Sequence, residues 1–162
     1  MLSQAIPAGK VHGIFISFSK GTPMIRQSKV VAYRGKGLCG DRYFLEVEAL
    51  PRIEGKPNRQ VTLISIEAIW EANSQANRRF EPSETRRNIV TSGIDLNQLV
   101  DKEFYMGQVL MRGTSLCDPC DRPSKLSDKP GFKKLFQNRG GLCAEILLSG
   151  VIFVGDDILV KN

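Results

Sequence analysis

A β-dominated chain, all-β or α+β, closed fully or partly into a barrel is the fold that this 162-residue sequence predicts. Three observations carry that expectation. Short apolar runs with period two recur along the chain. Glycine-containing turns interrupt them at close intervals. The few helical stretches do not alternate with strands as parallel βαβ units require. Many short strands expose many edges, and closing a barrel removes them.

The elements follow in order. Residues 11–18 (VHGIFISF) put His12, Ile14, Ile16 and Phe18 on one parity, which reads as a first strand. Residues 29–33 (KVVAY) read as a second. The segment 33–43 (YRGKGLCGDRY) carries three glycines in six positions and reads as a loop with unusual backbone angles. Residues 50–59 (LPRIEGKPNR) read as another loop. The strand at 60–65 (QVTLIS) runs straight into a helix over 65–77. Ser65 is placed to cap that helix, Glu67 suits its positive first turn, and Ile66, Ile69 and Trp70 share one face. Beyond Pro82, the runs RRNIVTS (86–92), EFYMG (103–107) and QVLMRGTS (108–115) read as strands, with Gly93 and Gly107 at the breaks. Within KPGFKKLFQN, Phe132–Asn138 reads as a short helix that Arg139-Gly140-Gly141 stops. The tail from Leu142 to Val160 reads as three strands divided by a Ser-Gly and a Gly-Asp turn. With no internal repeat, low-complexity stretch or boundary, residues 1–162 are expected to form one domain with two or three peripheral helices.

Composition narrows the function classes. The net charge of +6 comes from 23 basic and 17 acidic side chains. The basic residues are spread in pairs (Arg78-Arg79, Arg86-Arg87, Lys133-Lys134) and not interleaved with aromatics, so nucleic-acid binding is not expected. No apolar run approaches the ~20 residues of a spanning helix, and the first residues lack the apolar core of a signal peptide. The expectation is a cytoplasmic protein with no membrane partner, whose four cysteines are thiols.

The lone histidine, His12, lies in a strand and reads as structural. Without a second histidine, catalysis falls to cysteine, carboxylates or a bound cofactor. Residues 117–120 (CDPC) allow several readings. Structural zinc needs four ligands, usually in two close pairs, whereas Cys39 and Cys143 are isolated in sequence. A thioredoxin-type pair needs a helix starting at the motif, and Pro123 argues for a loop. A single reactive thiolate is the third reading: Pro119 precedes Cys120, Arg122 and Lys125 follow it, and nearby cations favour a thiolate able to bind a soft metal or carry sulfur.

Five segments in series resemble the MOSC domain, the C-terminal domain of molybdenum-cofactor sulfurases that also occurs as small stand-alone proteins. They are GLCGDRYF (37–44), RQVTLIS (59–65), TRRNIVTSGIDLNQLVDKEFYMGQVLMRGT (85–114), CDPCDRPSKL (117–126) and RGGLCAEILLSGVIFVGDDILV (139–160). One departure is Tyr43, which stands where the family often has histidine. The resemblance implies a β-barrel that binds molybdenum cofactor, a pterin dithiolene bearing a phosphate. It implies either reduction of N-hydroxylated compounds, with electrons from a separate protein, or sulfur transfer with a separate sulfur donor. Cys120 would be the metal ligand and catalytic thiolate. Arg59, Arg86, Arg87 and Asn88 would supply cationic and amide donors, with only one of Arg86 and Arg87 facing the site if both lie on a strand. Asp41 and Arg42 would either join the site or form an ion pair that shapes their loop. The alternative is a non-catalytic zinc module built on Cys117 and Cys120 with Cys39 or Cys143.

Overall fold

The computed structural model describes residues 8–49 and 59–162. The loop expected at 50–59 lies, but for Arg59, outside the described residues.

The strands are β1 (Gly9–Ile16), β2 (Ile25–Gln27), β3 (Lys29–Tyr33), β4 (Gly37–Leu38), β5 (Val61–Ser65), β6 (Ile89–Ser92), β7 (Glu103–Met106), β8 (Val109–Leu116), β9 (Leu142–Leu148), β10 (Gly150–Phe153) and β11 (Asp157–Val160). The helices are α1 (Arg42–Ala49), α2 (Ile66–Ser74), α3 (Arg122–Ser127) and α4 (Phe132–Leu135), with 3₁₀ turns at Pro82–Thr85 and Leu96–Leu99. The large sheet runs β11-β7-β8-β9-β5-β6-β1-β2, and β11 pairs back onto β1. That pairing closes a seven-strand barrel from β1, β11, β7, β8, β9, β5 and β6, with β2 as a branch. All its ladders are antiparallel except β5–β6. A separate sheet, β10-β3-β4, lies beside it.

The barrel interior is apolar. Val11, Ile14, Leu63, Ile89, Phe104, Met111, Leu142 and Ile146 belong to one buried cluster. A second cluster covers the outer face of the same wall, where Phe15, Ile64 and Val90 meet Ile66 and Ile69 of α2, Phe80, Phe132 of α4 and Phe136 just after it. Neighbouring residues of β1, β5 and β6 therefore bury on opposite faces, which is why these strands read as nearly continuous apolar runs.

Four expectations need correction. First, His12 does not share a face with Ile14 and Ile16. The β1–β6 register slips between Val11 and Gly13, and this bulge turns His12 out to solvent while Val11 and Ile14 both enter the core. Phe18 lies past the strand and is exposed. Second, Trp70 is on the outer face of α2, 57% exposed, with its ring edge-on to His12; Ile66, Ile69 and Ala72 make the buried stripe. Ser65 does cap α2, accepting from the Ala68 N–H at 3.1 Å. Third, α1 begins at Arg42, inside the stretch read as a loop. Fourth, α3 begins directly after the CDPC segment. Pro123 sits in its first turn, where the missing N–H would have had no helical partner.

Candidate functional site

The first wall of the site is built by Asp41 and Arg42. Asp41 is fully buried and accepts from the backbone N–H of Ser17 at 3.0 Å and of Tyr43 at 3.3 Å. The Arg42 Nη1 donates to it at 3.1 Å, while Nη2 donates to the Arg86 carbonyl and meets the Tyr43 hydroxyl, each at 3.1 Å. The Arg42 guanidinium also lies 4.3 Å from the Tyr43 ring centre. Asp41 is thus occupied in fixing the start of α1, while Arg42 joins α1 to the segment before β6.

That segment is not a strand at Arg86. Arg86 closes the 3₁₀ turn at Pro82–Thr85 in the left-handed region, with φ 66°, and β6 begins only at Ile89. Strand alternation therefore does not govern Arg86 and Arg87, and both are buried. Arg86 donates to the Thr22 carbonyl. Burial lowers its pKa, and the charges of Arg42 and Arg122 lower it further. Arg87 turns the other way: its Nε donates to the Gly140 carbonyl at 2.8 Å, and its Nη2 is buried with no hydrogen-bond partner among the described residues.

Asn88 lies between β1 and β5. Its Oδ1 accepts from the Thr62 N–H and hydroxyl at 3.1 and 3.2 Å, and its Nδ2 donates to the Phe15 carbonyl at 3.1 Å. Fully buried and bonded on both sides, it stitches the barrel wall.

The cysteines divide into two kinds. Cys39 and Cys120 are exposed, Cys117 is buried, Cys143 is half-buried, and all four are free. On β9, Leu142 and Ala144 enter the core, so Cys143 projects from the outer wall. It pairs across the ladder with Ser115, and the Cys117 thiol lies close enough to affect its acidity. The Cys117 thiol lowers the Cys143 pKa. Burial works against this, but Arg59, Ser115 and Arg87 act with Cys117, and the thiol is held down to about 6. Cys117 moves the opposite way, raised by the Cys143 thiol and by its burial. Burial would lower the pKa of Arg59, but Tyr43 and the thiols of Cys143 and Cys117 outweigh it and the pKa stands above its ordinary value.

Five arginines from four chain segments therefore converge on the outer wall. Arg59 and Arg87 stand by the Cys117–Cys143 pair, Tyr43 lies in the middle, and Arg42, Arg86 and Arg122 form the other end. A cavity of ≈ 690 Å³ adjoins the cysteine loop, lined among others by Leu116, Cys117, Pro119, Lys133, Lys134 and Gly140. The loop from Cys117 to Asp121 borders this cavity through Cys117, Asp118, Pro119 and Asp121, while Cys120 is not part of the lining, and it leads into Arg122. Among the described residues no three His, Cys, Asp or Glu side chains gather as a metal would require, so the four-ligand zinc module has no geometric support.

Sequence reasoning missed Cys143, Tyr43 and Arg122 as members of this group. A signal for Cys143 was present, since its neighbours Leu142 and Ala144 alternate with it. What it would meet across the sheet depended on a strand register that the chain does not display.

The family model for the MOSC domain matches residues 51–159. Among solved structures, the chain is similar to the YuaD protein from Bacillus subtilis, with 22% identity, a TM-score of 0.79 and 98% of each chain covered. It is also similar to YiiM from Geobacillus stearothermophilus, with 13% identity, a TM-score of 0.73 and 95% of this chain and 75% of that chain covered. YiiM from Escherichia coli follows at 17% identity and a TM-score of 0.64, covering 96% of this chain and 69% of that chain. No curated protein sequence matches. Likeness at these identities shows a shared fold; the match of the family model over two-thirds of the sequence carries the assignment, and the chain belongs to the MOSC domain family.

Proposed function

We propose that this protein binds the molybdenum cofactor beside the arginine group on the outer barrel wall and works through a cysteine thiolate. The observation that carries the reading is the buried Arg87 guanidinium, whose Nη2 has no hydrogen-bond partner among the described residues, in a group of five arginines where Asp41 is already committed to Arg42 and two backbone amides. Leaving a buried guanidinium N–H unpaired costs about 1–3 kcal/mol, which an anionic ligand would recover.

The donor set fits the cofactor. Its phosphate needs guanidinium donors, which Arg59, Arg87 and the Arg42–Arg86–Arg122 group offer. Its soft metal needs a thiolate, and Cys120 is the exposed thiol of the cysteine loop. The adjoining cavity falls within the ordinary small-molecule range of roughly 300–1,000 Å³. Asp41 and Asn88 spend their side-chain hydrogen bonds within the protein and hold the frame. When bound, the cofactor supplies redox chemistry at the metal. The protein orients it, balances its charge and presents an accessible thiol. Cys120 exposure serves both activities open to the protein: reduction of N-hydroxylated compounds fed by a separate electron-transfer protein, or receipt and delivery of sulfur between proteins. The setting is a single domain in the cytoplasm; among the described residues no helix is long and apolar enough to cross a membrane.

The test is molybdenum and pterin content, with persulfide content measured alongside, in protein made in a cofactor-competent host. Cys120→Ser should lose molybdenum retention or persulfide while folding normally, and Cys117→Ser should keep much of it. Cofactor binding by Cys120→Ser equal to the parent overturns the thiolate assignment. Stoichiometric zinc lost by both variants, with unfolding, restores the zinc module.

A further inference from the structure

We propose that Cys143 and Cys117 form a redox-sensitive dithiol on the outer barrel wall, in which a hydroperoxide oxidises Cys143 and Cys117 resolves it to a disulfide. Strand register brings them together. β8 and β9 pair Ser115 with Cys143 and Leu116 with Leu142. One step further, the Cys117 N–H donates to the Gly141 carbonyl at 2.8 Å. Alternation then puts Ser115, Cys117 and Cys143 on one face, with the two cysteines at diagonal positions.

The pair is asymmetric, and the asymmetry assigns the roles. Cys143 is half-buried beside the exposed Ser115, so a small oxidant reaches it, whereas Cys117 is 5% exposed and shielded. Arg59 and Arg87 stand near enough to favour a thiolate at Cys143. The Cys143 thiolate attacks one peroxide oxygen and the O–O bond breaks. Cys143 becomes a sulfenic acid and hydroxide leaves. The Cys117 sulfur then attacks the sulfenic sulfur and the S–O bond breaks. Its proton and the departing hydroxide give water. Two thiols lose two electrons and two protons, and hydrogen peroxide becomes two waters.

Diagonal positions on a regular antiparallel ladder sit about 7–8 Å apart, slightly beyond the ~4.4–6.8 Å that a disulfide tolerates. Two features supply the difference. The ladder is irregular between Gly113 and Ser115, and Cys117 lies just past the end of β8, bonded through its N–H to Gly141, the residue before β9. The disulfide would fasten the cysteine loop to β9 and remove the thiolate that faces Arg59 and Arg87.

The experiment treats the reduced full-length protein with hydrogen peroxide and maps the products by mass spectrometry after denaturing alkylation. The expected product is a Cys117–Cys143 cross-linked peptide, two hydrogens lighter than the reduced pair and reversed by dithiothreitol. In Cys117→Ser, dimedone should trap the sulfenic acid on Cys143. The cross-link should persist in Cys120→Ser, which separates it from the cofactor reading. A cross-link joining Cys117 to Cys120, or oxidation confined to Cys39 and Cys120, overturns the proposal.

Discussion

Replacing Arg87 by methionine separates the stability of the ligand-free protein from its affinity for an anionic ligand. The side chain is 7% exposed, and among the described residues it makes one hydrogen bond, from Nε to the Gly140 carbonyl at 2.8 Å, while Nη2 has no partner. Losing the Gly140 bond costs about 1–3 kcal/mol, the range that includes charged donors. Removing an unsatisfied buried N–H recovers about 1–3 kcal/mol, and an unbranched apolar chain keeps much of the buried volume filled. The two terms nearly cancel, so urea unfolding of the ligand-free variant should lie within about 1 kcal/mol of the parent, and its Tm within about 4 °C. Cofactor affinity should behave differently. Loss of charge-assisted bonds worth about 1.5–3 kcal/mol raises Kd by roughly 10- to 150-fold. The assay pairs urea unfolding with molybdenum and pterin content per folded chain. If Arg87→Met unfolds about 3 kcal/mol more easily while occupancy per folded chain is unchanged, Arg87 is a brace for Gly140 and the ligand reasoning is wrong.

Asn88→Ala should show the opposite pattern. It deletes three buried side-chain bonds and strands the Thr62 N–H and Phe15 carbonyl, for about 2–4 kcal/mol and a Tm lower by about 5–15 °C, with cofactor content per folded chain unchanged; cofactor loss at parental stability would return Asn88 to the ligand set. Cys143 should alkylate with iodoacetamide along a curve that rises through pH 6 and flattens above about pH 7, because its acid form has the lower pKa and is spent first. At pH 6 its thiolate fraction is roughly 150 times that of a free cysteine with pKa ≈ 8.5, and the weaker nucleophilicity of the more acidic thiol reduces this to about tenfold in rate. A rate still climbing at pH 8 would refute the cation-stabilised thiolate.

The barrel was legible in the amino-acid sequence because strand formation is local. Alternation and glycine breaks point to nine of the eleven described strands, whereas β2 was not read and β4 lies in the stretch read as a loop. The α2 cap was legible too, since Ser65 and the amide it caps are three residues apart. Helix starts after Gly-Asp and Asp-Arg-Pro were not, because α1 and α3 are held by contacts made elsewhere. Asp41 anchors α1 through the Ser17 amide, and Pro123 was read as a loop former when it stands in the first turn of a helix.

The site divides in the same way. By itself the sequence determined which chemical groups were available: four thiols, dispersed arginines, one histidine, and motifs in the order of a family. Tertiary structure decided which of them meet. A bulge removed His12 from the wall, a left-handed Arg86 sent two neighbouring arginines to different partners, and antiparallel register set Cys117 near Cys143 across 25 intervening positions of chain. Thiol acidity and guanidinium pairing depend on distances and burial of a few ångströms, and those are set by strand register and wall closure, quantities that no local stretch of sequence contains.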